Sequence, residues 1–244
     1  MNKKLKSIIG LIMAAMMVLS LAACAGGKSS DAKKDKEDET AAAQEIAEAF
    51  LDDYTDFNFK GAVDYLDSGE FDKKIADMES KDDLVEIAKQ GAGSALEEVK
   101  DAGVDIDGFF EDLVDLFELD YEIKSAKLNK DKAVEVKFEL TLTSPDEEIM
   151  NKKFNSNSSD IESRLREAGV NESSTDAELN KAMGSVMQDL FDEAIDEMKD
   201  ALKEETKDGV LVLEKKKGEW VINEKDSKID GKSISKIAKD IVEE

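Results

Sequence analysis

Nine consecutive residues in the middle of the chain alternate without a break between apolar and polar side chains. The run goes from Val134 to Leu142, and its polar positions hold two glutamates, a lysine and a threonine. Successive side chains of a β-strand point to opposite faces, so the run predicts a strand with one face in a core and the other in water. Antiparallel sheets commonly have one such dry face, which predicts an antiparallel sheet covered on one side.

Helical periodicity appears on both sides of this strand. Apolar residues recur there every three or four positions, which is the spacing of one face of an amphipathic helix. The most apolar helical segment after residue 24 is Phe109–Phe117, which we expect to form the best buried helix. Tyr121 and Ile123 also alternate and predict a strand that forms a first hairpin with 134–142. A helical insertion over 146–205 separates this hairpin from a second predicted hairpin, 210–222. Further helices are predicted over 41–57, 59–66, 71–78, 84–99 and, as a short terminal helix, 233–242.

Short polar residues mark where these elements begin and turn. Ser, Thr, Asp and Asn accept hydrogen bonds from the free amides of a first helical turn, so they favour N-cap positions. An acid three residues after the cap completes a capping box, as at Thr175 with Glu178 and at Ser80 with Asp83. Other predicted caps are Thr40, Asn58 and either Asp105 or Asp107, and the predicted turns are Asn129-Lys130-Asp131, Asp208-Gly209 and Lys217-Gly218.

The order of these elements predicts an α+β fold, with the N-terminal helices packed on an antiparallel sheet. Residues 41–230 are predicted to form a single domain of this kind, with 231–244 as a C-terminal tail or short helix. A chain of about 200 residues buries about 70% of its unfolded surface, which is enough for a stable core without disulfides.

The first 23 residues have the composition of an export signal. Lys3, Lys4 and Lys6 precede a mostly apolar run, from Ser7 to Ala23, that carries no charge. A basic start, an apolar stretch and small residues before a cut site are typical of a secretory signal peptide. The alternative is an uncleaved transmembrane helix, which needs about 20 apolar residues and at least about 17, so length alone leaves both open.

Cys24, the only cysteine, ends this run. Leu21-Ala22-Ala23-Cys24 resembles the lipobox of bacterial lipoproteins. The resemblance implies that the thiol receives diacylglycerol, that palmitate-type acyl chains hold the protein, and that a peptidase cuts before Cys24. It implies a signal peptide over 1–23, a lipidated cysteine with a flexible tether over 24–40, and a protein anchored on the extracytoplasmic face of the cell membrane. Ala25 stands where many such proteins carry a retention aspartate, and lysines far outnumber arginines in the chain; both observations favour a Gram-positive host.

Acidic residues dominate the charge of the chain. Loss of the three N-terminal lysines would change the formal net charge from -25 to -28. Such a chain repels nucleic acid, whose binding needs cationic contacts to phosphate, and anionic lipid headgroups. Histidine is absent, which removes the commonest general base and metal ligand. We therefore assign no catalytic, metal-binding or cofactor-binding residue and no cofactor.

Three segments together are similar to the nuclear transport factor 2-like superfamily, in particular to uncharacterised lipoprotein domains of Gram-positive bacteria. They are Ala47–Leu66, the strand 134–142, and the hairpin Leu213–Ile222 with Gly218-Glu219-Trp220. The resemblance covers 41–143 and 206–224 and departs over the insertion between them. It implies a curved sheet that wraps helices into a cone with an apolar cavity, although one fold serves many activities.

A calcium loop is suggested by Asp105-Ile106-Asp107-Gly108 and rejected by its surroundings. The loop pattern needs an acid two residues before Asp105 and a glutamate six residues after Gly108. Gly103 and Val114 stand at those positions, so we expect one of the aspartates to cap a helix.

Other side chains have two interpretations each. A tyrosine beside an aspartate could perform acid–base chemistry in an apolar cavity, which raises the pKa of a carboxyl group. Aromatic and methionine side chains could line a ligand or partner site, but they more commonly pack in cores. The residues concerned are Tyr54, Tyr65 and Tyr121 for chemistry, Phe138 and Trp220 for a cavity, and Met183, Met187 and Met198 for a partner.

These observations predict a lipid-anchored extracytoplasmic protein without enzymatic activity, which binds a small apolar ligand or another envelope protein. One alternative is an isomerase- or hydrolase-like enzyme that uses an aspartate with a tyrosine in the cavity. The other is a structural protein whose interface is the helical insertion 146–205.

Overall fold

The computed structural model describes residues 35–67, 77–92, 99–146, 148, 149, 152, 158–171 and 173–234. The signal segment, Cys24 and nearly all of the predicted helices 71–78 and 233–242 lie outside these residues, and Ser233 lies on a strand instead. The helices are α1 Asp35–Thr55, α2 Phe59–Val63, α3 Lys81–Ala92, α4 Ile106–Asp115, α5 Ser158–Glu167 and α6 Asp176–Asp200. The strands are β1 Glu118–Leu128, β2 Val134–Pro145, β3 Leu202–Lys216, β4 Glu219–Ile222, β5 Lys228–Ile229 and β6 Lys232–Ser233.

The α+β prediction is confirmed, because the described strands form one six-stranded antiparallel sheet accompanied by helices. The strand order is β1-β2-β3-β5-β6, and β4 also pairs with β3. Two compact units share the chain. The sheet unit holds the described residues of 14–83, 118–142 and 204–244, and the helical unit those of 84–117 and 143–203. The single domain over 41–230 and the cone-like curvature stay predictions.

The core of the sheet unit forms between β2 and α1. The apolar positions of β2 that alternate from Val134 to Leu142 are at most 4% exposed, as their pattern predicted. Helix α1 contributes a face spaced at three and four residues, and its Phe50 is fully buried. Apolar side chains of α2, β3 and β4 complete this cluster, among them Ala62, Leu211, Leu213 and Ile222.

Helix α1 begins earlier and ends earlier than predicted. It begins at Asp35, so the predicted tether 24–40 includes helical residues, and Thr40 lies inside the helix instead of capping it. Acidic residues in a first turn stabilise the positive end of the helix dipole, which the polarity of this segment concealed. At the other end Phe57 adopts a left-handed φ of 61°, and the Asn58 amide donates to the carbonyl of Asp53 at 2.8 Å.

The longest strand, β3, contradicts two predictions. The Asp208-Gly209 turn is wrong, because β3 passes through both residues, and the predicted helical insertion ends before Leu202 rather than at 205. Gly209 pairs with Ile229 of β5. A Cβ on Gly209 would lie 2.1 Å from Cζ of Phe138, so the glycine is needed for close packing against a ring and not for a turn.

The turns between strands follow local chemistry, as predicted. Asn129 accepts hydrogen bonds on Oδ1 from the amides of Asp131 and Ala133, which closes the β1–β2 turn. Lys217 and Gly218 have φ angles of 55° and 96°, the positive values that a two-residue hairpin turn requires. Pro145 is the last residue of β2.

The helical unit forms around α4, whose apolar side chains are all buried as predicted. Its Phe109 stacks on Phe191 of α6, with ring centroids 4.4 Å apart. The capping box at Thr175 and Glu178 is present in full.

The capping box predicted at Ser80, in the sheet unit, is modified. The Asp83 carboxylate accepts a hydrogen bond from the amide of Glu79 instead of from the amide of Ser80.

Candidate functional site

The sheet unit places two of the three tyrosines near the aspartates of α1, at a position that we call the Tyr–Asp patch (Asp52, Asp53, Tyr65 and Tyr121). Tyr121 donates its hydroxyl proton to Oδ1 of Asp52 at 2.6 Å. Burial, followed by this bond, raises the pKa of Tyr121 above its ordinary value. Burial and then the charges of Asp53, Asp64 and Asp52 also raise the pKa of Tyr65.

The chemistry of the Tyr–Asp patch follows from these contacts. A phenol with a raised pKa keeps its proton at neutral pH, so Tyr121 is a hydrogen-bond donor and not a nucleophile. Asp52 is exposed, whereas the predicted mechanism relied on a carboxyl group in an apolar cavity. The bond therefore ties β1 to α1, two elements whose residues stand 69 positions apart in sequence.

Tyr54 lies in the core of the sheet unit. It is 6% exposed and contacts the rings of Phe50 and Phe59, at centroid distances of 5.8 and 5.3 Å. Burial raises the pKa of Tyr54 to about 12. Its aromatic neighbours give it a packing role.

The two aromatic residues predicted for a cavity differ in their surroundings. Phe138 is 1% exposed and its ring lies against the backbone of Gly209. Trp220 is partly buried, and the ammonium group of Lys215, its partner across the β-hairpin, stands 5.0 Å from the ring centroid. Phe138 is therefore a core residue, while Trp220 covers the edge of the core under a lysine side chain.

The aspartates of the rejected calcium loop have structural partners. Asp105 caps α4, because its Oδ1 accepts from the amide of Gly108 at 2.9 Å. Asp107 pairs with Lys89 and Lys100 at 3.0 and 2.6 Å. Hydrogen bonds from Lys100 and then Lys89 lower the pKa of Asp107. No group of acids in the described residues is arranged to hold a metal ion.

The three methionines of α6 differ in how deeply they are buried. Met198 is fully buried, which agrees with core packing, whereas Met183 and Met187 are half-buried.

Two contacts of α6 near these methionines were not predicted from the sequence. A Cβ on Gly184 would lie 1.7 Å from the carbonyl oxygen of Ala102, and Gln188 accepts from the amide of Asp105 at 2.7 Å. Gly184, Gln188 and Phe191 are spaced at four and three residues and so share one face of α6, and this spacing was the sequence signal for these contacts.

Arg164, one of the two arginines of the chain, forms a bidentate ion pair. Its two terminal nitrogens donate to the two carboxylate oxygens of Glu193, at 2.8 and 3.0 Å. The planar guanidinium matches a carboxylate in this geometry, so the pair fixes α5 against α6.

A polar loop between β4 and β5 was also missed. Ser227 is fully buried, and its hydroxyl accepts from the amide of Val212 at 2.8 Å. Glu224 is 5% exposed, and its Oε2 is one of two buried side-chain polar atoms of the described residues without a hydrogen-bond partner. The nearby Asn223 organises the loop, since its Oδ1 accepts from the amides of Lys225 and Asp226. No periodic pattern in the sequence predicts such a loop.

Comparison with protein-family models, curated proteins and solved structures gave no match in any of the three. The helices of the described part are all too short or too polar to span a membrane. Cys24, the predicted lipid attachment site, precedes the first described residue by eleven positions.

Proposed function

We propose that the chain is a lipid-anchored protein on the extracytoplasmic face of the cell membrane, and that it binds another envelope protein. The observation that carries this proposal is the sequence Leu21-Ala22-Ala23-Cys24 at the end of an uncharged apolar run. The fold is compatible with it, because the first described helix begins at Asp35. Cys24 thus precedes this helix in the chain.

Partner binding is favoured over a small apolar ligand by the packing around β2. Phe138, which the cavity hypothesis required as a wall, is covered by Gly209 and surrounded by residues of the same core. A buried side chain in close contact leaves no volume for a ligand at that position. The enzyme alternative has a tyrosine–aspartate pair, but its carboxylate is exposed.

The anchor is tested by the intact mass of the protein extracted from membranes. We expect a chain that begins at Cys24 and carries a lipid increment. Because Cys24 is the only cysteine, Cys24→Ser should give a mass with no lipid increment and with residues 1–23 still attached, while the neighbouring substitution Ala25→Ser should still give the lipidated chain that begins at Cys24. An unmodified chain of full length would refute the proposal.

Binding of a protein partner is tested by cross-linking in intact cells. Deletion of 146–205 is unsuitable, because it would expose the Phe109 face of α4 that Phe191 covers. The exposed carboxylates of α6, Asp189, Asp192 and Asp196, offer surface substitutions instead. If the insertion is the interface, changing them to lysine should remove a cross-linked partner that the unchanged chain captures, and an unaltered cross-link would exclude this face.

A thermal melt against a panel of apolar compounds tests the ligand alternative. A ligand at 100 times its dissociation constant adds about 2.7 kcal/mol of stability. For a chain of this size that raises Tm by several degrees, at about 2–4 °C per kcal/mol. A clear shift would favour a small-molecule binder over the proposed protein partner.

A further inference from the structure

The first strand, β1, forms one edge of the six-stranded sheet. In the order of the described strands, β1 has β2 on one side and no strand on the other. An edge strand carries backbone amides and carbonyls that point away from its neighbour and can pair with a further strand. Proteins commonly keep such edges short or place proline in them, whereas β1 has 11 residues and no proline. It therefore offers a template for strand addition.

The inward side chains of β1 are incompletely covered. Leu119, Tyr121 and Ile123 pack against the core of the sheet unit, but each stays partly exposed. The core-facing side chains of the neighbouring strand β2 that alternate over 134–142 are at most 4% exposed. A further strand beside β1 would cover apolar surface that the sheet leaves open to water, and the burial of such surface favours association.

A shift in the alternation divides β1 into two parts. Ala126 and Leu128 pack against the same core as the three residues above, so the inward positions shift by one residue after Ile123. Such a shift indicates a β-bulge, which bends a strand and disrupts its ladder of hydrogen bonds. The two lysines of the strand, Lys124 and Lys127, lie at or beyond this point. Bulges and lysines both hinder pairing at a sheet edge, so the part open to pairing is the one before the bulge.

We call this regular part, residues 118–123, the β1 edge, and its outer row is acidic. Glu118, Asp120 and Glu122 are all exposed. A second copy of the chain is a poor occupant, because antiparallel pairing about Asp120 would place these acids opposite one another, and like charges directly opposite destabilise a strand pair. A register with Lys124 opposite Glu122 would extend the pairing into the bulge. A strand with lysine or arginine at every second position would instead meet all three acids with opposite charge.

The surroundings of the β1 edge supply little positive charge. Lys124 pairs with Glu122 at 2.8 Å and also with Glu139 of β2, so two acids share it. Within the described residues, no lysine or arginine forms an ion pair with Glu118 or Asp120. Helix α1, which packs against β1, carries no basic residue beyond its first turn. The whole chain has a net charge of -25, so a basic segment is also attracted from a distance.

We propose that the β1 edge binds an extended segment of a protein partner in which basic and apolar residues alternate. The segment adds a strand beside β1: its backbone pairs with the edge, its apolar residues cover Leu119, Tyr121 and Ile123, and its lysines or arginines face the acidic row. In this mode of recognition, backbone hydrogen bonds give affinity and alternate side chains give specificity. The inference rests on the proposed binding of an envelope protein, and it names the surface used and the chemistry of the partner.

The test uses the chain without residues 1–23, carrying Cys24→Ser, and a synthetic peptide that alternates lysine with valine. Hydrogen exchange measured by mass spectrometry compares the β1 edge with and without the peptide. Any cation is attracted to so acidic a chain, so two further peptides of the same charge carry N-methyl groups on alternate amides, in one phase or the other. Only every second residue of an antiparallel strand bonds a given neighbour, so one phase removes these bonds and the other keeps them.

We expect the peptide to slow exchange at the β1 edge several-fold, with one N-methylated peptide still active and the other inactive. Asp120→Lys should weaken binding by about tenfold, because two opposite charges become like charges. Glu219→Lys makes the same change of charge at an exposed position of β4 and should weaken binding much less. A peptide that alternates glutamate with valine should not bind.

Equal binding of the two N-methylated peptides, or unchanged exchange at the β1 edge, would overturn the inference. A dimer of the unchanged chain that protects the β1 edge from exchange would assign it to a second copy and overturn the inference as well. Cross-linking in intact cells separates this failure from that of the proposed function. A partner still captured by Asp120→Lys would exclude the β1 edge and leave the proposed function standing, whereas no partner captured by the unchanged chain would count against the proposed function.

Discussion

Substitution of alanine for Gly209 should destabilise the sheet unit through one contact. The new Cβ would lie 2.1, 2.4 and 2.5 Å from three atoms of the Phe138 ring, where carbon atoms in contact stay about 3.5–4.0 Å apart. The ring is 1% exposed, so it cannot move aside into water. Overpacking of a core costs about 1–3 kcal/mol, and a clash with three atoms belongs at the upper end of that range.

The expected net loss is about 2 kcal/mol, because alanine in a strand is more favourable than glycine by up to about 1 kcal/mol. Urea unfolding of the Cys24→Ser chain measures it, with fluorescence from Trp220 as the signal. Trp220 is the only tryptophan, and β4, which carries it, pairs with the strand that contains Gly209. The signal therefore reports on the unit that is perturbed.

A second substitution separates the ring contact from other effects of Gly209. Phe138→Leu removes the ring atoms that meet the new Cβ, so Gly209→Ala should cost little in that background. The two substitutions should show a coupling energy within about 0.5–3 kcal/mol. An equal cost of Gly209→Ala in both backgrounds would refute the reasoning.

Three other substitutions test the helical unit. Gly184→Ala would gain about 1 kcal/mol as an isolated helix change, but its Cβ would meet a backbone carbonyl oxygen at 1.7 Å, so far-UV circular dichroism should show a lower Tm; an unchanged Tm would contradict that contact. Arg164→Lys loses the bidentate geometry and should lower stability in urea by up to about 1 kcal/mol, while Arg166→Lys, at an exposed position, should not. Thr175→Ala removes a cap worth about 1 kcal/mol. Hydrogen bonds from the Thr175 amide and hydroxyl hold the pKa of Glu178 below its ordinary value. The stability that these hydrogen bonds contribute is present at neutral pH and is lost as the pH falls through the lowered pKa. The pKa of Glu178, measured by NMR titration, should therefore rise in Thr175→Ala.

A functional site could be predicted from the sequence only where its residues are close together in the chain. Cys24 belongs to a local motif, so its assignment needed only adjacent residues, and it remains a prediction. The chain has three tyrosines and 59 acidic residues, and nothing in the sequence indicates that Tyr121 and Asp52 form a pair. Their 2.6 Å bond depends on how β1 lies along α1, which no spacing in the sequence specifies. The same holds for Glu224, whose burial follows from the loop that Asn223 organises.

The elements predicted correctly are those with a cause inside a few residues. Asn58, Asp105 and Thr175 cap their helices because each side chain bonds an amide three residues ahead. Lys217-Gly218 turns the chain because both residues adopt positive φ angles. Val134–Leu142 forms a strand because its alternation suits one buried face. The error at the start of α1 arose because local polarity concealed the favourable charge of acidic residues at a helix N-terminus.

The sequence by itself determined the α+β class, the caps at Asn58, Asp105 and Thr175, the turns at Asn129 and Lys217-Gly218, and the alternating strand β2. Tertiary structure alone decided that 202–205 is strand rather than helix, because the segment takes the conformation that its neighbours in the sheet can hydrogen-bond. It also decided that Gly209 lies against the Phe138 ring, and that Lys215 of β3 pairs with Glu39 near the start of α1. Periodicity and capping are set by neighbours within one helical turn, whereas these contacts join residues that are brought together only when the sheet forms.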